Sequence, residues 1–344
     1  MHAITSGLGQ GSIRLTDPSR VKRILVCRPN GRLGNMLLLT PVVRELQESF
    51  PDARIDLFVK GNHARSVFSN FNQVDRIIAL PEKPFRQLAS YLHGWIRVRM
   101  RQYDLVFNAD PGSSSGRLSA KFALGRTKLF GQLNLAQSYP DAAHMAKNPV
   151  LRVRDYLALA HLSPRQARLP ELTLFLDPEE IAHGKGKLRE IVPHRFPVVC
   201  LFTYATGPKD FGPQWWQNLL TVLKKEFPTV NFMEMLPAHG ASALNYKLPS
   251  IYSRNIREMG AVLANCAAFI GADSGVMHLA SASGTSTIGL FKMSRKEKYA
   301  PYNRQSVGLD MNLHGNDDIM RHLARIIGPK VTLTGLTLAR ELAN

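Results

Sequence analysis

Within Gly271-Ala272-Asp273-Ser274-Gly275-Val276-Met277-His278 the chain sets an acid, a hydroxyl, glycines and an imidazole almost side by side. A short acid and a hydroxyl ahead of an apolar run are helix-start residues, with Asp273 or Ser274 as the N-cap. The first N–H groups of a helix find no partner inside it and favour a negative charge in front of them. Gly275 allows a ligand to approach the backbone closely. The chemistry open to such a turn is anion binding, of phosphate above all. The plainer reading of the same residues is an ordinary cap followed by a core histidine, His278.

The elements that would position this turn follow from its flanks. Residues 267–271 read as the end of a buried strand and 276–283 as a helix. Gly284-Thr285 breaks that helix, and 286–291 is a second strand-like run. The turn then sits at the carboxyl end of a strand, where open α/β sheets take their ligands. The same alternation fills the chain. Strands are expected over 21–27, 53–59, 74–80 and 103–108. Residues 36–50 and 83–101 have helical spacing, with Pro41 in the first turns of the former or kinking it. A second series holds strands at 197–202 and 230–235 and helices at 178–192, 214–227, 257–266 and 317–327. Strands alternating with helices imply parallel sheets covered on both faces. The expected fold class is α/β, as two Rossmann-like domains facing across a cleft. The expected boundaries are a flexible arm at 1–20, an N-terminal domain at 21–175, a C-terminal domain at 176–330 and a tail at 331–344.

Composition narrows the function. Of the 344 residues, 44% are hydrophobic and 20% charged, which suits a soluble globular protein. No apolar run approaches the roughly 20 residues of a membrane-spanning helix. Residues 1–20 lack the apolar segment of a secretory signal, and Gly7-Leu8-Gly9-Gln10-Gly11 follows no strand, so it reads as linker. The three cysteines, Cys27, Cys200 and Cys266, form no CxxC pair and lie in apolar contexts. They read as buried free thiols of a reducing compartment, and no ligand cluster for a metal is apparent. The net charge is +18, and residues 1–175 carry 25 Lys and Arg against 12 Asp and Glu. A basic first half calls for an anionic partner such as a nucleic acid, an acidic lipid or a phosphorylated glycan, or else is simply a basic surface. No nucleic-acid module accompanies the charge, so specific nucleic-acid binding is not expected.

Three stretches together resemble glycosyltransferase family nine, the ADP-heptose:lipopolysaccharide heptosyltransferases. Arg32-Leu33-Gly34-Asn35-Met36-Leu37, followed by Thr40-Pro41 and Arg44-Glu45-Leu46, is similar to that family's first loop and the helix after it. Tyr204-Ala205-Thr206-Gly207-Pro208-Lys209, with Trp215-Trp216, resembles its donor-domain loop. Gly271 to Ala280 is similar to its D-[ST]-G-x-x-H-L-x-x-A signature, and Lys298-Tyr299-Ala300-Pro301-Tyr302 echoes the aromatic-x-P that follows the last strand.

The resemblance implies the GT-B fold and an inverting transferase that moves heptose, or a related sugar, from an ADP-sugar to a lipopolysaccharide core or similar anionic glycan. It implies no cofactor and no metal, since the nucleotide-sugar is itself a substrate. Donor contacts are then expected from Thr206, Lys209, Glu234, Met235, Asp273, Ser274, Gly275 and His278. Arg32, Gly34 and Arg117 are expected toward the acceptor. Lys209 alone reads as a solvated lysine, Glu234 as a cap or ion pair, and Met235 as core. One departure stands out. The family carries Asp after the glycine of its first loop as the base for the acceptor hydroxyl, whereas this chain has Asn35, whose amide takes no proton at neutral pH. Asn35 then only orients the acceptor while another carboxylate acts, with Asp110 as candidate, or the leaving group departs so readily that no strong base is needed. The alternative is a catalytically silent ADP-sugar- or glycan-binding relative. Arg97, Arg99, Arg101, Arg152 and Arg154, with Phe85 and Trp95, are candidates for a membrane- or phosphate-facing surface, unless they merely line solvated helices. The expected location is cytoplasmic, with peripheral contact at the inner membrane.

Overall fold

The computed structural model describes residues 20–129, 139–159, 168–192 and 196–328. The expected tail, and all of the expected arm except Arg20, lie outside these residues. The chain divides between Glu171 and Leu172 into two compact units. The division falls ahead of residue 175, because Leu172 and Leu174 donate backbone N–H groups to the carbonyls of Tyr302 and Ala282 in the second unit.

The first unit runs β1 (Arg23–Arg28), α1 (Leu33–Leu37), α2 (Thr40–Ser49), β2 (Arg54–Lys60), α3 (His63–Val67), β3 (Val74–Leu80), α4 (Leu88–Arg99), β4 (Gln102–Asn108), α5 (Ser114–Phe122), β5 (Leu124–Leu129) and α6 (Lys147–Leu159). Its five strands form a parallel sheet in the order β3-β2-β1-β4-β5. The central strand β1 is buried from Ile24 to Arg28, as a strand covered on both faces must be. The expected helix over 36–50 is broken into α1 and α2. Pro41 has no N–H for the carbonyl of Leu37, and the Thr40 hydroxyl donates to that oxygen instead, at 2.8 Å. Helix α5 and strand β5 were not apparent from pattern. Leu124-Gly125-Arg126-Thr127-Lys128-Leu129 lacks an apolar alternation, and it becomes a strand by pairing with β4.

The second unit runs α7 (Pro178–Ile191), β6 (Val198–Phe202), α8 (Pro213–Glu226), β7 (Asn231–Met235), β8 (Ser250–Ile251), α9 (Ile256–Ala264), β9 (Ala268–Ala272), α10 (Gly275–Ala282), β10 (Thr287–Phe291), α11 (Lys296–Tyr299), β11 (Val307–Asp310) and α12 (Asn316–Ile327). The six parallel strands are ordered β11-β10-β9-β6-β7-β8. Trp216, Leu219 and Leu223 of α8 and Ile319 and Leu323 of α12 pack into the sheet's core with Leu201, Ile270 and Leu290. All three cysteines are free and buried. Burial pushes the Cys27 thiol up to about 12, so it stays protonated and inert.

Helices α7 and α9 meet at glycine. Asp177 and Glu180 close a capping box on α7, and Arg257 of α9 forks onto both oxygens of Glu180 at 2.5 Å. A Cβ on Gly184 would lie 2.3 Å from the carbonyl carbon of Ala261, whereas one on Gly186 would meet nothing within 4 Å. Gly184→Ala is therefore expected to destabilise the second unit by about 2 kcal/mol, the range for forcing an extra methyl into a filled contact. Gly186→Ala should stabilise it by a fraction of a kcal/mol through helix propensity. Urea midpoints of the two variants check both signs.

Candidate functional site

Both sheets wind outward in both directions from their first strand. In the first unit β2 and β3 lie to one side of β1 and β4 and β5 to the other; in the second, β7 and β8 lie to one side of β6 and β9, β10 and β11 to the other. The loops leaving the two central strands of each sheet therefore diverge, and the space outside their carboxyl ends is where such sheets bind ligands. Each unit brings sequence-predicted residues together at that point.

In the second unit the meeting strands are β6 and β9. Strand β9 ends at Ala272, and Asp273 follows in a nearly buried position, 7% exposed. Ser274 is the N-cap of α10, with extended backbone and its hydroxyl accepting from the Met277 N–H at 3.2 Å. The cap predicted for Asp273 or Ser274 thus belongs to Ser274. Asp273 is left to receive Lys209, whose Nζ stands 2.5 Å from Oδ2. Lys209 ends the 3-10 turn Gly207–Lys209 that follows β6, and Gly207 supplies the positive φ of 60° that folds the turn back. Two motifs 64 positions apart are joined by this ion pair. Thr206 is exposed ahead of the turn, and Ser274 and Gly275 are half-buried. The turn thus presents a cation, a hydroxyl and helix N–H groups on one edge of the sheet.

Other predicted donor residues lie deeper. Glu234 and Met235, at the end of β7, are both 0% exposed. Thr203 donates to Glu234 Oε1 at 2.6 Å, and Ser242 donates to Oε2. In this arrangement Glu234 ties the loop after β6 to the loop after β7. His278 is 3% exposed, on the inward face of α10. Sequence reading gave no role to Tyr204, the first residue of the donor-loop motif, and passed over His239; their rings sit 4.7 Å apart on those same two loops. An aromatic just beyond a buried strand is the signal that would have marked Tyr204.

In the first unit the meeting strands are β1 and β4, and the residue that organises their ends is Arg28, which sequence reading also passed over. Arg28 ends β1 and is 3% exposed. Its Nη2 donates to Asn35 Oδ1 at 3.1 Å, and its Nη1 lies 3.4 Å from Asp110 Oδ2. Asn35 and Asp110, assigned separately from sequence, thus share one buried guanidinium. A charged residue closing an otherwise apolar strand was the available clue.

Asp110 is fixed from several directions. The buried Asn108 side chain accepts from the Asp110 N–H at 3.3 Å and donates to its carbonyl at 3.0 Å. Asp110 Oδ1 accepts the Gly112 N–H at 3.1 Å. From α6, Arg152 donates to the Asn108 carbonyl at 2.7 Å and stacks over Phe107 at 4.9 Å. Burial lowers the Arg152 pKa to about 10, with the Asp110 charge pulling it the other way. Ser113 caps α5 through the Gly116 N–H, which completes the loop.

The expected acceptor residues and surface arginines are sorted by this geometry. Arg32 is exposed at the start of α1, and Gly34 is half-buried within it. Arg117 is turned onto its own loop, donating to the Pro111 carbonyl and, at 3.3 Å, to Ser114 Oγ. The surface proposed for Arg101, Arg152 and Arg154 needs correction. Arg152 is buried, Arg154 forks onto Glu45 at 2.9 and 3.0 Å, and Arg101 turns to Asp75 at 2.7 Å. Arg154 and Arg101 meet acids from other elements, Glu45 for the one and Asp56 and Asp75 for the other, and Arg152 meets the Asn108 carbonyl and the Phe107 ring, so all three serve the fold of the first unit. Arg97 and Arg99 remain on the outer side of α4, with Arg99 over the Phe122 ring at 5.2 Å.

Known proteins resemble the chain in part of its sequence and in its fold. Residues 250–321, which include the Asp273-Ser274-Gly275 turn, match the profile of glycosyltransferase family 9 (heptosyltransferase). No curated protein sequence matches. Among solved structures, a family 9 glycosyl transferase from Veillonella parvula is similar with a TM-score of 0.72 at 13% identity, over 90% of this chain and 98% of that one. Escherichia coli heptosyltransferase WaaC, solved with ADP, is similar with a TM-score of 0.67 at 14% identity, over 88% and 99%. The E. coli ADP-heptose lipopolysaccharide heptosyltransferase II is similar with a TM-score of 0.62 at 17% identity, over 89% and 98%. The fold is GT-B, and the resemblance is matched by the family's profile over the last of the three stretches, Gly271 to Ala280.

Ser274→Ala removes the N-cap of α10 and is expected to cost about 1 kcal/mol of stability. Calorimetric melting of the variant would show it, and Ser274→Asp, which keeps an acceptor at the cap, should melt close to the parent protein.

Proposed function

We propose that the chain is an inverting family-nine glycosyltransferase that moves heptose, or a related sugar, from an ADP-sugar to a lipopolysaccharide core or similar anionic glycan, on the cytoplasmic side of a membrane. The observation that carries this reading is Lys209 held at the capped turn Asp273-Ser274-Gly275, on the strand ends where an α/β sheet takes phosphate. A sugar diphosphate brings charge that must be bound in the ground state and held more tightly as the nucleotide leaves. The N–H groups at the start of α10 are fixed donors for that charge and need no reorganisation during the reaction. Lys209 is a mobile point charge that can turn from Asp273 to the phosphates. Asp273 keeps the ammonium in place until then. Thr206 adds a hydroxyl beside it. Tyr204 and His239 offer ring faces for the base, a role that the buried Met235 is poorly placed to fill. Glu234 acts here by fixing those loops.

On the acceptor side Asp110 is the proposed base. In the transfer, the acceptor hydroxyl oxygen bonds to the anomeric carbon as the bond from that carbon to the diphosphate oxygen breaks. The hydroxyl proton passes to the carboxylate, and the ADP leaves with the bonding pair. Arg28 and Asn108 act as positioning residues for Asp110. Asn35 orients the acceptor through its amide. Arg32, Gly34 and Arg117 border the acceptor.

Lys209→Ala should weaken ADP binding roughly ten- to hundredfold, the value of one charge-assisted hydrogen bond, and should lower the melting temperature somewhat because the nearly buried Asp273 carboxylate loses its partner while the fold is kept. Calorimetric titration with ADP measures this, and undiminished affinity would remove Lys209 from the site. Asp110→Asn should lower kcat by about two to four orders of magnitude with donor KM held, as loss of a general base does. ADP release from ADP-heptose with a core-oligosaccharide acceptor reads it out. Near-parental turnover would exclude Asp110 as base, and a gain in Asn35→Asp would return that role to position 35. Tight ADP-heptose binding with no ADP release by the parent protein would favour the silent, donor-binding reading that the amide of Asn35 prompts.

A further inference from the structure

Helix α4 has one face that its own unit leaves uncovered. Gly94 and Val98 are buried, and Tyr91 and Trp95 pack against the core of the first sheet. The opposite face carries Leu88, Leu92 and Ile96, each more than half exposed, and Met100 beyond the helix end is 72% exposed. Their spacing of four keeps them on one stripe. Phe85, one turn before the helix, is 98% exposed. The stripe continues onto the next elements. Trp95 meets Phe122 edge-on at 5.5 Å, and Leu118, Phe122 and Leu124 are each about two-fifths exposed, at 38%, 38% and 40%. Scattered exposed apolar side chains are normal, but a contiguous run of this length marks an interaction surface.

The charge around the run is one-sided. Residues 83–101 hold five Lys and Arg and no Asp or Glu, and residues 117–128 hold four and none. Arg101 turns inward to Asp75 and Arg126 lies 3.7 Å from Asp104, but Lys83, Arg86, Arg97 and Arg99 border the stripe. Lys83 and Arg86 also line a cavity of about 420 Å³ at the carboxyl ends of β2 and β3, together with Asn62, Gln87, Ser90 and one acid, Glu82. An apolar stripe rimmed by cations is the pattern of a helix that lies in a lipid interface, the side chains entering the acyl boundary and the cations meeting phosphate headgroups. A second copy of this chain is a poor occupant, because joining two such faces would bring like charges together in a protein of net charge +18.

We infer that the Phe85–Met100 face docks on an anionic lipid bilayer, with Phe85, Leu88, Leu92, Ile96 and Met100 inserted and Lys83, Arg86, Arg97 and Arg99 on headgroup phosphates. This deepens the proposed reading by naming the face that would meet a membrane-borne acceptor. The docking itself needs neither donor nor acceptor, so it stands or falls separately from turnover.

Co-sedimentation of the full chain with phosphatidylglycerol–phosphatidylcholine vesicles, and with pure phosphatidylcholine vesicles, tests it. Binding is expected to the anionic vesicles, weaker at high salt. The triple variant Phe85→Ser, Leu92→Gln, Ile96→Gln should lower the partition coefficient about tenfold or more. These positions are exposed, so its melting curve should match the parent's. The double variant Arg86→Gln, Arg97→Gln should lose most of the preference for anionic vesicles. Absence of parental binding to either vesicle would overturn the inference, as would equal binding by parent and triple variant. A parental dimer in sedimentation velocity that the triple variant abolishes, with vesicle binding unchanged, would assign the face to a second copy instead. Vesicle binding that depends on the stripe, in a protein that releases no ADP, would support the docking while removing the transferase reading.

Discussion

A parallel sheet that winds to both sides of its first strand must part the loops that leave its two central strands. Both units of this chain are built under that constraint, and both place their polar clusters where the parting occurs. In the first unit the strands are β1 and β4, and the cluster is Arg28 with Asn35 and Asp110. In the second they are β6 and β9, and the cluster is Lys209 with Asp273 at the capped start of α10. The strands beneath are buried and nearly free of charge, so the ends of the sheet carry the chemistry.

The two clusters differ in the cation they use. Arg28 is 3% exposed, and its planar fork holds two partners from different loops. A buried arginine in that setting is a fixed part of the frame, and the loops are positioned on it. Lys209 has about a third of its side chain in solvent and a single carboxylate partner. Its flexible stem lets the ammonium exchange partners without disturbing the backbone. The first arrangement suits orientation of groups, and the second suits capture of a mobile anion.

Cations elsewhere in the first unit show how little a count of charges says about a surface. Arg152 and Arg154 lie two positions apart on α6, yet one is buried under Asn108 and the other is spent on Glu45. Burial of Glu45 raises its pKa, while the hydrogen bond and charge of Arg154 oppose that rise. On α4, by contrast, Arg97 and Arg99 stand on the outer side beside exposed apolar residues that a soluble unit would ordinarily cover. What distinguishes the two helices is the presence of facing acceptors, the Asn108 carbonyl and the Glu45 carboxylate, which only the packing supplies.

The alternation of strands and helices, the two α/β units and the capped turn at Asp273-Ser274-Gly275 were legible in the sequence. They depend on local periodicity and on short-range capping, which a linear pattern records. Strand β5 and the break between α1 and α2 were less legible, because a partner strand and a missing N–H decided them. The roles of Glu234, Arg28 and Arg154 belong to the tertiary structure alone. A carboxylate at a strand end can face solvent or be closed over by hydroxyls from two loops, and an arginine can line a surface or bridge an interior. Residue type leaves those outcomes open, since they turn on which side chains distant in the chain arrive within about 3 Å, and that proximity is set by how the strands are ordered in the sheet.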